Sequence, residues 1–477
     1  MQSSKPFSSA TNLKRLILEI VISLAGVTCS FALSHIGIIK CGLFLLSFSL
    51  LFIFINHPIL LLVVAYSSGI FKDWLTEKTA LFASIDFTVF IFSLTIIILT
   101  FHFIRVGKIW QLKVPPGFIS FSLLFLLMIF SLFYTASPKY GLLKTSSFFF
   151  FNGSLFIFSY LAITTREDIN AFIKFFALLV GGVAVFALGN LIHGFLKGNL
   201  IFSYRASFLG INPISYANWI GAANIFFISL LFGSIDRTNK IFLGILVVIL
   251  TAAMLVSNSR GPIASFVFSL AVLGLINIQH LKIKHLIQGG SAILLTIIVL
   301  FFLLPEQVTS RYLDLFGGGS DVVSKVHSAY TINTRLFAWQ TAVSAALSNV
   351  RTFFLGIGSG GFSSLFYGLD VRLYPHNMLI EVFCELGLVG LILLISHFYI
   401  LFSLFFAKLK NIGGQDKFTF LGLVMAAIFL TFSAQFSGDL NDNRRIWFFL
   451  GLALASLEIY LKNAKNLYND KYQTSNN

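Results

Sequence analysis

Three arginines and one histidine have the residue types and spacing for chemistry on a negatively charged substrate. They are Arg205 in YRASFLGINPIS, Arg260 in SNSRGP, Arg335 in TRLFAWQ and His376 in YPHNM. Arginine forks bind phosphate groups and stabilise charge on a leaving group without a metal. Histidine has an unperturbed pKa near neutrality, so it can accept a proton at working pH. The set indicates an anionic substrate, such as a lipid-borne diphosphate, beside one candidate base.

Arg260 lies in a tight turn between two apolar runs, which fixes it near a membrane surface. Pro262 suits the first turn of the next helix. An arginine at a helix start is unfavourable for the helix dipole, but a bound anion would use both the guanidinium and the helix amides. The alternative is a charge that sets membrane topology, which fits less well because the predicted side is the wrong one.

Arg205 and Arg335 each have a second interpretation. Arg205 could be an interfacial anchor that snorkels to the lipid surface, although Gly210 and Asn212 are turn formers that would fold the segment back onto the protein. Arg335 could form a cation–π pair with Trp339, four residues further on the same helix face. Spacing alone leaves the two interpretations of Arg335 equally supported.

His376 differs from the other histidines because polar neighbours cluster with it. Pro375 and Asn377 flank it, and Glu381 and Glu385 follow within the next apolar run. The two glutamates are one helical turn apart, so they share a face that should contact protein rather than lipid. A candidate base beside buried acids is the strongest catalytic signal in the chain.

The last outer segment, SGDLNDNRR, carries two acids and two arginines. Their default interpretation is mutual neutralisation, and the alternative is that they line the same cavity; the residues are Asp439, Asp442, Arg444 and Arg445. The sequence contains no HExxH, DxD or Walker motif, so neither a metal nor a cofactor is predicted.

The composition determines which elements position these residues. The chain has 477 residues, of which 57% are hydrophobic and 11% charged, with a mean hydropathy of +0.90. Soluble domains carry about 25% charged residues, so a soluble or disordered protein is excluded. The apolar runs do not alternate as barrel strands do. We therefore predict an all-α, polytopic integral membrane protein, with 1–477 forming one transmembrane domain.

The apolar runs predict about 14 transmembrane helices. The second and third are short and could form a re-entrant hairpin, which would leave about 12. The predicted spans are about 16–35, 41–56, 58–71, 82–104, 116–135, 144–164, 170–191, 214–234, 239–257, 260–279, 286–304, 377–403, 417–436 and 445–462.

The net charge of +15 is assigned to membrane topology rather than to nucleic-acid binding. With the amino terminus inside, the short inner segments carry a modest excess of Lys and Arg. The long connection 305–376 then faces outward, and its length predicts a functional role. Within it, 334–348 predicts an amphipathic helix capped at Asn333 or Thr334. Its predicted apolar stripe consists of Leu336, Trp339, Val343 and Ala346. GIGSGGF at 356–362 predicts a sharp turn.

The ordered motifs resemble the O-antigen ligase and polymerase superfamily of bacterial membrane glycan transferases. The matching pieces are YRASFLGINP, SNSRGP, TRLFAWQ, GIGSGGF, YPHN and ELGLVGLILL, and the clearest stretch runs from about 200 to 400. The resemblance implies a metal-independent, inverting transferase without a cofactor in the bacterial cytoplasmic membrane. Its donor would be a glycan linked to undecaprenyl diphosphate, presented at the outer (periplasmic) face.

Roles for the four residues follow from the resemblance. Arg205 and Arg260 would bind the diphosphate, and Arg335 would bind phosphate or position the acceptor. His376 would be the base on the acceptor hydroxyl, which attacks the anomeric carbon as the lipid diphosphate leaves.

The resemblance leaves several functions open. A repeat-unit polymerase is favoured from chain length and the lack of an added domain. A ligase acting on lipid A core, or on another acceptor such as protein Ser or Thr, is the alternative. A transporter is a more distant alternative, because it predicts broken helices in matched positions of two halves. A scaffold would explain the spans but not a basic outer cavity.

Overall fold

The computed structural model describes residues 58–78, 85–105, 114–198, 210–234, 236–277 and 322–475, with isolated positions at 54, 298, 299, 302 and 304. The chain divides into two compact units, Met1–Leu61 and Leu62–Asn477, and the residues discussed below lie in the second. The predicted spans at 16–35 and 41–56, and nearly all of 286–304, lie outside the described residues.

The described residues form α-helices joined by short connections. In chain order these are α1 (Pro58–Lys78), α2 (Phe87–Arg105), α3 (Phe118–Ser131), α4 (Pro138–Ser147), α5 (Ser154–Ala162), α6 (Arg166–Leu196), α7 (Pro213–Gly233), α8 (Arg237–Val256), α9 (Arg260–Asn277), α10 (Val322–Ala346), α11 (Val350–Leu355), α12 (Gly361–Tyr367), α13 (Met378–Leu409), α14 (Gly414–Ser433) and α15 (Arg444–Ser475), with a π-helical turn, Phe148–Gly153, between α4 and α5.

The prediction of an all-α polytopic membrane protein is confirmed. Among the described residues, nine helices are long and apolar enough to cross a membrane, counting α4 and α5 as one, and α3 and α9 are shorter apolar helices. Each predicted span in these ranges falls on a helix. The third predicted span is longer than expected, because α1 has 21 residues. At 1.5 Å per residue it reaches about 30 Å, the thickness of a bilayer core.

The centre of the second unit is formed by α7 packed between α8 and α14. In lipid, helices associate through close backbone approach and a few polar contacts. Gly221 of α7 lies so close to α14 that a Cβ there would be 2.4 Å from Phe429 Cζ. The Asn224 side chain donates to Thr251 of α8 at 2.9 Å. These contacts hold α7 against α8 and α14.

The predicted helix in the long connection is present, but it begins earlier than expected. The described helix α10 starts at Val322, so Asn333 and Thr334 lie inside it and the predicted cap is wrong. Of the predicted apolar stripe, Ala346 is buried, but Leu336 is 52% exposed. Small residues cover that face because they allow α10 to approach Phe362 and α13 closely. The buried stripe consists of Ala338, Ala342 and Ala346.

The predicted glycine turn is present, and it rests on a kink in α13. Gly387 interrupts that helix with a φ of 66°, which releases two carbonyls of the preceding turn. Ile357 N donates to Cys384 O and Gly358 N to Glu385 O, both at 2.9 Å. A Cβ on Gly356 would lie 2.2 Å from the Glu385 carbonyl carbon, so only glycine fits there. The turn is therefore fixed beside the side chain of Glu385.

Candidate functional site

His376 lies one residue before the N-cap of α13, in a strained conformation. Its φ is 59°, in the left-handed region that residues other than glycine rarely adopt. The preceding carbonyl, of Pro375, accepts a hydrogen bond from Trp339 Nε1 at 2.8 Å. The ring of Tyr374 lies edge-on to the imidazole, with centroids 4.7 Å apart. Neighbours on both sides thus fix the direction of the imidazole.

Asn377 anchors the segment that carries His376 to the connection between α14 and α15, residues 434–443. Its side chain caps α13 by accepting from Ile380 N at 3.0 Å, and its Nδ2 donates to Gln435 O at 3.0 Å. Met378 N donates to Ala434 O at 3.1 Å. The start of α13 and the end of α14 are therefore one hydrogen-bonded unit.

His376 is neutral at physiological pH. Burial, together with the positive charge of Arg335, lowers its pKa to about 4, and Asp442 partly opposes this shift. Its Nδ1 is buried and makes no hydrogen bond within the described part of the chain. A neutral imidazole has one nitrogen that can accept a proton, so the side chain has the protonation state that a general base requires.

Arg335 is brought to the same place by α10. Its Nη1 donates to Phe436 O at 2.8 Å, and its charge acts on His376. Trp339, one turn further along α10, binds the residue before that histidine. One helix therefore positions both the candidate cation and the candidate base.

Arg260 begins α9, as the sequence predicted, and Pro262 lies in the first turn. The turn before it contains Asn258 with a φ of 53°. Gly261 packs against Phe436, where an added Cβ would lie 2.9 Å from the Phe436 Cβ. Phe436 thus contacts both the start of α9 and, through its carbonyl, Arg335. Arg205, the remaining predicted residue, lies outside the described residues.

A buried ion cluster that the sequence did not predict lies behind the histidine segment. Lys144 of α4 pairs with Glu381, and its Nζ lies 2.6 Å from Glu385 Oε2. All three side chains are at most 3% exposed. Lys144 is the first residue of the predicted span 144–164, and the sequence pattern gave it no role. A lysine at the start of the apolar run KTSSFFFF was the available signal.

Each glutamate of this cluster also holds one outer segment. Glu385 Oε2 accepts from Gly360 N of the glycine turn at 2.8 Å, and Glu381 Oε2 accepts from Leu440 N at 2.9 Å. Asn441 Nδ2 donates to the carbonyl of Lys144 at 2.8 Å. The cluster ties the glycine turn and the connection between α14 and α15 to the first turns of α13, which follow His376 in the chain.

Among the described residues, the acids of the connection between α14 and α15 form ion pairs with Arg372 and not with Arg444 or Arg445. Arg372 forms an ion pair with Asp442, and its Nε lies 3.9 Å from Asp439 Oδ2. Tyr374 OH donates to Asp442 Oδ2 at 3.1 Å. Burial and the nearby Asp442 raise the pKa of Asp439 to about 6, against the opposing charges of Lys144 and Arg372. The predicted neutralisation within SGDLNDNRR therefore does not take the form of ion pairs among the described residues, although the charge of Asp442 acts on both Arg444 and Arg445.

Residues 245–395 match the family described as O-Antigen ligase. The matched stretch contains Arg260, Arg335 and His376, while Arg205 and Lys144 lie outside it. A search of curated proteins finds no match. The resemblance to the O-antigen ligase and polymerase superfamily is thus confirmed. It indicates a multi-pass membrane enzyme that transfers glycosyl groups from a lipid-linked glycan to an acceptor.

Proposed function

We propose that the protein transfers a glycan from undecaprenyl diphosphate to an acceptor sugar hydroxyl, as a polymerase of polysaccharide repeat units. The reaction would occur at the outer face of the bacterial cytoplasmic membrane. The observation that supports it best is His376, which is neutral, conformationally fixed and adjacent to Arg335. A proton acceptor beside a phosphate-binding side chain is what glycosyl transfer from a diphosphate needs.

In the proposed reaction, His376 accepts the proton of the acceptor hydroxyl as its oxygen attacks the anomeric carbon. The new C–O bond forms as the bond to the diphosphate oxygen breaks, and the diphosphate leaves with that electron pair. Attack from the opposite face inverts the anomeric configuration. Arg260 and Arg205 stabilise the charge on the leaving diphosphate, and Arg335 binds phosphate or positions the acceptor.

The placement of Arg335 also couples donor binding to the strength of the base. Without an anion nearby, the positive charge of Arg335 contributes to the low pKa of His376. A bound diphosphate would offset that charge, and a nearby anion favours the protonated imidazole. The pKa of His376 would therefore rise when the donor is bound, so the base becomes effective in the loaded enzyme.

A ligase is the second candidate, because the matched family is described as O-Antigen ligase. A ligase would use the same base and arginines but move a finished glycan to lipid A core. The two functions differ in the acceptor, which in either case must reach the imidazole of His376.

A glycan gel of cells that carry the wild-type gene, no gene or His376→Ala separates these functions. Collapse of the glycan to a single repeat unit supports the polymerase. Full-length polymer that stays on the lipid carrier supports the ligase. Normal glycans in the His376→Ala strain, with equal amounts of protein in the membrane, contradict the transferase proposal and favour a transporter assay next. His193→Ala is the matched control, since His193 is exposed on α6.

A further inference from the structure

Arg444 and Arg445, at the start of α15, point into the helix bundle and not toward the outer acids. The Arg444 guanidinium lies over the rings of Phe92 and Phe151, at 5.6 and 5.3 Å from their centroids. Arg445 Nη1 donates to Ser215 O at 3.2 Å. Within the described ranges neither arginine forms an ion pair. Two adjacent cations therefore lie beside apolar side chains with no carboxylate at ion-pair distance among the described residues, although the charge of Asp442 acts on both of them.

Several donors at this place have unused capacity for hydrogen bonds. Arg445 is 8% exposed, and its Nε is buried without a hydrogen-bond partner in the part of the chain that the structure describes. The same holds for the hydroxyl of Tyr66 in α1, which interacts electrostatically with Arg445. The rings of Phe92 and Phe151 lie at cation–π distances from the Arg444 guanidinium, and a guanidinium carries five N–H donors. The groups that remain are donors, which suit an anion.

The backbone around the two arginines leaves the side chains as the binding groups. The amides of Arg444 and Ile446 already donate to the carbonyls of Asn441 and Asn443. On α1, a Cβ at Gly69 would lie 2.7 Å from Arg444 Nη2, so glycine provides the space for this guanidinium. The geometry makes room for Arg444 where a larger residue would displace it.

The charge itself argues for a ligand. Burying an unpaired cation in an apolar environment is costly, and the positive end of the α15 dipole adds to the cost. An anion that accepts from both guanidiniums would offset the cost.

We propose that Arg444 and Arg445, with Tyr66, bind a phosphate group of a lipid. Two sources have this chemistry: the diphosphate of the glycan donor, which rests on the proposed function, and the headgroup of a membrane phospholipid, which does not. In either case the phosphate accepts from Arg445 Nε and from the outer N–H groups of Arg444.

The test uses full-length protein, purified in detergent and depleted of lipid. Its melting temperature is measured with increasing concentrations of undecaprenyl diphosphate or of phosphatidylglycerol. Undecaprenol and diacylglycerol serve as neutral controls. We expect at least one phosphate lipid to stabilise the wild type. The double variant Arg444→Gln/Arg445→Gln should bind it at least about tenfold more weakly, as expected when charge-assisted hydrogen bonds are lost. Lys197→Gln, which removes an exposed charge near the end of α6, should bind as the wild type does.

The outcomes separate the two sources. If the double variant loses affinity only for undecaprenyl diphosphate, the arginines bind the glycan donor. If it loses affinity only for phosphatidylglycerol, they bind a structural lipid. Equal affinity in wild type and double variant, or equal stabilisation by the neutral lipids, overturns the proposal. If the double variant does not fold, Arg445→Lys decides. It keeps the positive charge but removes the Nε donor, so unchanged affinity in that variant also overturns the proposal.

The binding measurement is independent of catalysis. If the wild type binds a phosphate lipid through these arginines but the His376→Ala strain makes normal glycans, the transferase proposal fails and the phosphate site stands. If His376→Ala abolishes transfer while the arginine variants bind as the wild type does, the phosphate site fails and the transferase proposal stands.

Discussion

Lys144 in α4 and Glu385 in α13 form an ion pair with 2.6 Å between Nζ and Oε2, and both side chains are almost fully buried. The same Glu385 oxygen accepts from Gly360 N in the glycine turn. Lys144 also pairs with Glu381, so one cation serves two carboxylates. A buried cluster of this kind is stable only while every member keeps its partners. The rigidity of the segment around His376 therefore depends on a residue in a distant helix.

Lys144→Met is expected to be strongly destabilising, because it leaves two buried carboxylates without a cation. Removing one partner of a buried ion pair costs about 3–5 kcal/mol. The triple variant Lys144→Met/Glu381→Gln/Glu385→Gln should recover part of that loss, since the amide oxygens can still accept from Gly360 N and Leu440 N. Thermal unfolding in detergent measures both. A single variant as stable as the wild type would show that the cluster contributes little.

Trp339→Phe is expected to reduce the transfer rate more than it reduces stability. The substitution keeps an aromatic ring but removes the N–H that donates to Pro375 O. A lost hydrogen bond of this kind changes stability by about 0.5–1.5 kcal/mol, whereas the imidazole of His376 would lose a constraint on its direction. Initial rates and melting temperatures are compared with those of Trp74→Phe, a tryptophan that is 38% exposed. Equal rates for the two variants would contradict a positioning role.

Local signals identified part of this site from the sequence. Proline and glycine spacing predicted the start of α9 at Arg260 and the turn at 356–362, and the apolar runs predicted the helices. The partners of Lys144 could not be predicted, because Glu381 is 237 positions away and only tertiary packing joins them. The start of α10 was placed too late, because a helix that packs through alanines lacks a strong apolar period.

As pH is lowered, kcat/KM should begin to fall only well below the ordinary pKa of histidine. His376 in the folded protein has a pKa of about 4, so it stays neutral, and able to accept a proton, as pH falls through 6.5. We expect kcat/KM, which reports the free enzyme, to stay level down to about pH 5 and then fall. Arg335→Gln should move this limb to higher pH, because it removes a positive charge that lowers the pKa. A wild-type limb near pH 6.5 would contradict the assignment of His376.

The lowered pKa of His376 also predicts how the stability of the protein depends on pH. The pKa of His376 in the folded protein lies below the unfolded value, so the unfolded chain binds a proton first as pH falls. The contribution of His376 to stability is therefore full above about pH 6.5 and declines between that value and about pH 4. His376→Gln should show a smaller loss of melting temperature over this range. An identical loss in variant and wild type would contradict the shifted pKa.

Chelation of divalent metals is expected to leave the transfer rate unchanged. In the proposed reaction the charge of the leaving diphosphate is stabilised by arginine side chains, which need no metal. Transfer by membranes is measured with and without EDTA, followed by addition of magnesium. Activity that is lost in EDTA and restored by the ion would overturn this part of the proposal.

Arg260→Lys tests whether the start of α9 binds the diphosphate. Lysine keeps the positive charge but replaces the planar fork with a point charge, which cannot bind two phosphate oxygens in the same way. If Arg260 binds the diphosphate, KM for the donor should rise at least about tenfold, the equivalent of about 1.4 kcal/mol. Arg237→Lys, at the exposed start of α8, is the matched control and should behave as the wild type does. A topology charge requires only the positive charge, so an Arg260→Lys enzyme with near-normal kinetics would identify Arg260 as one.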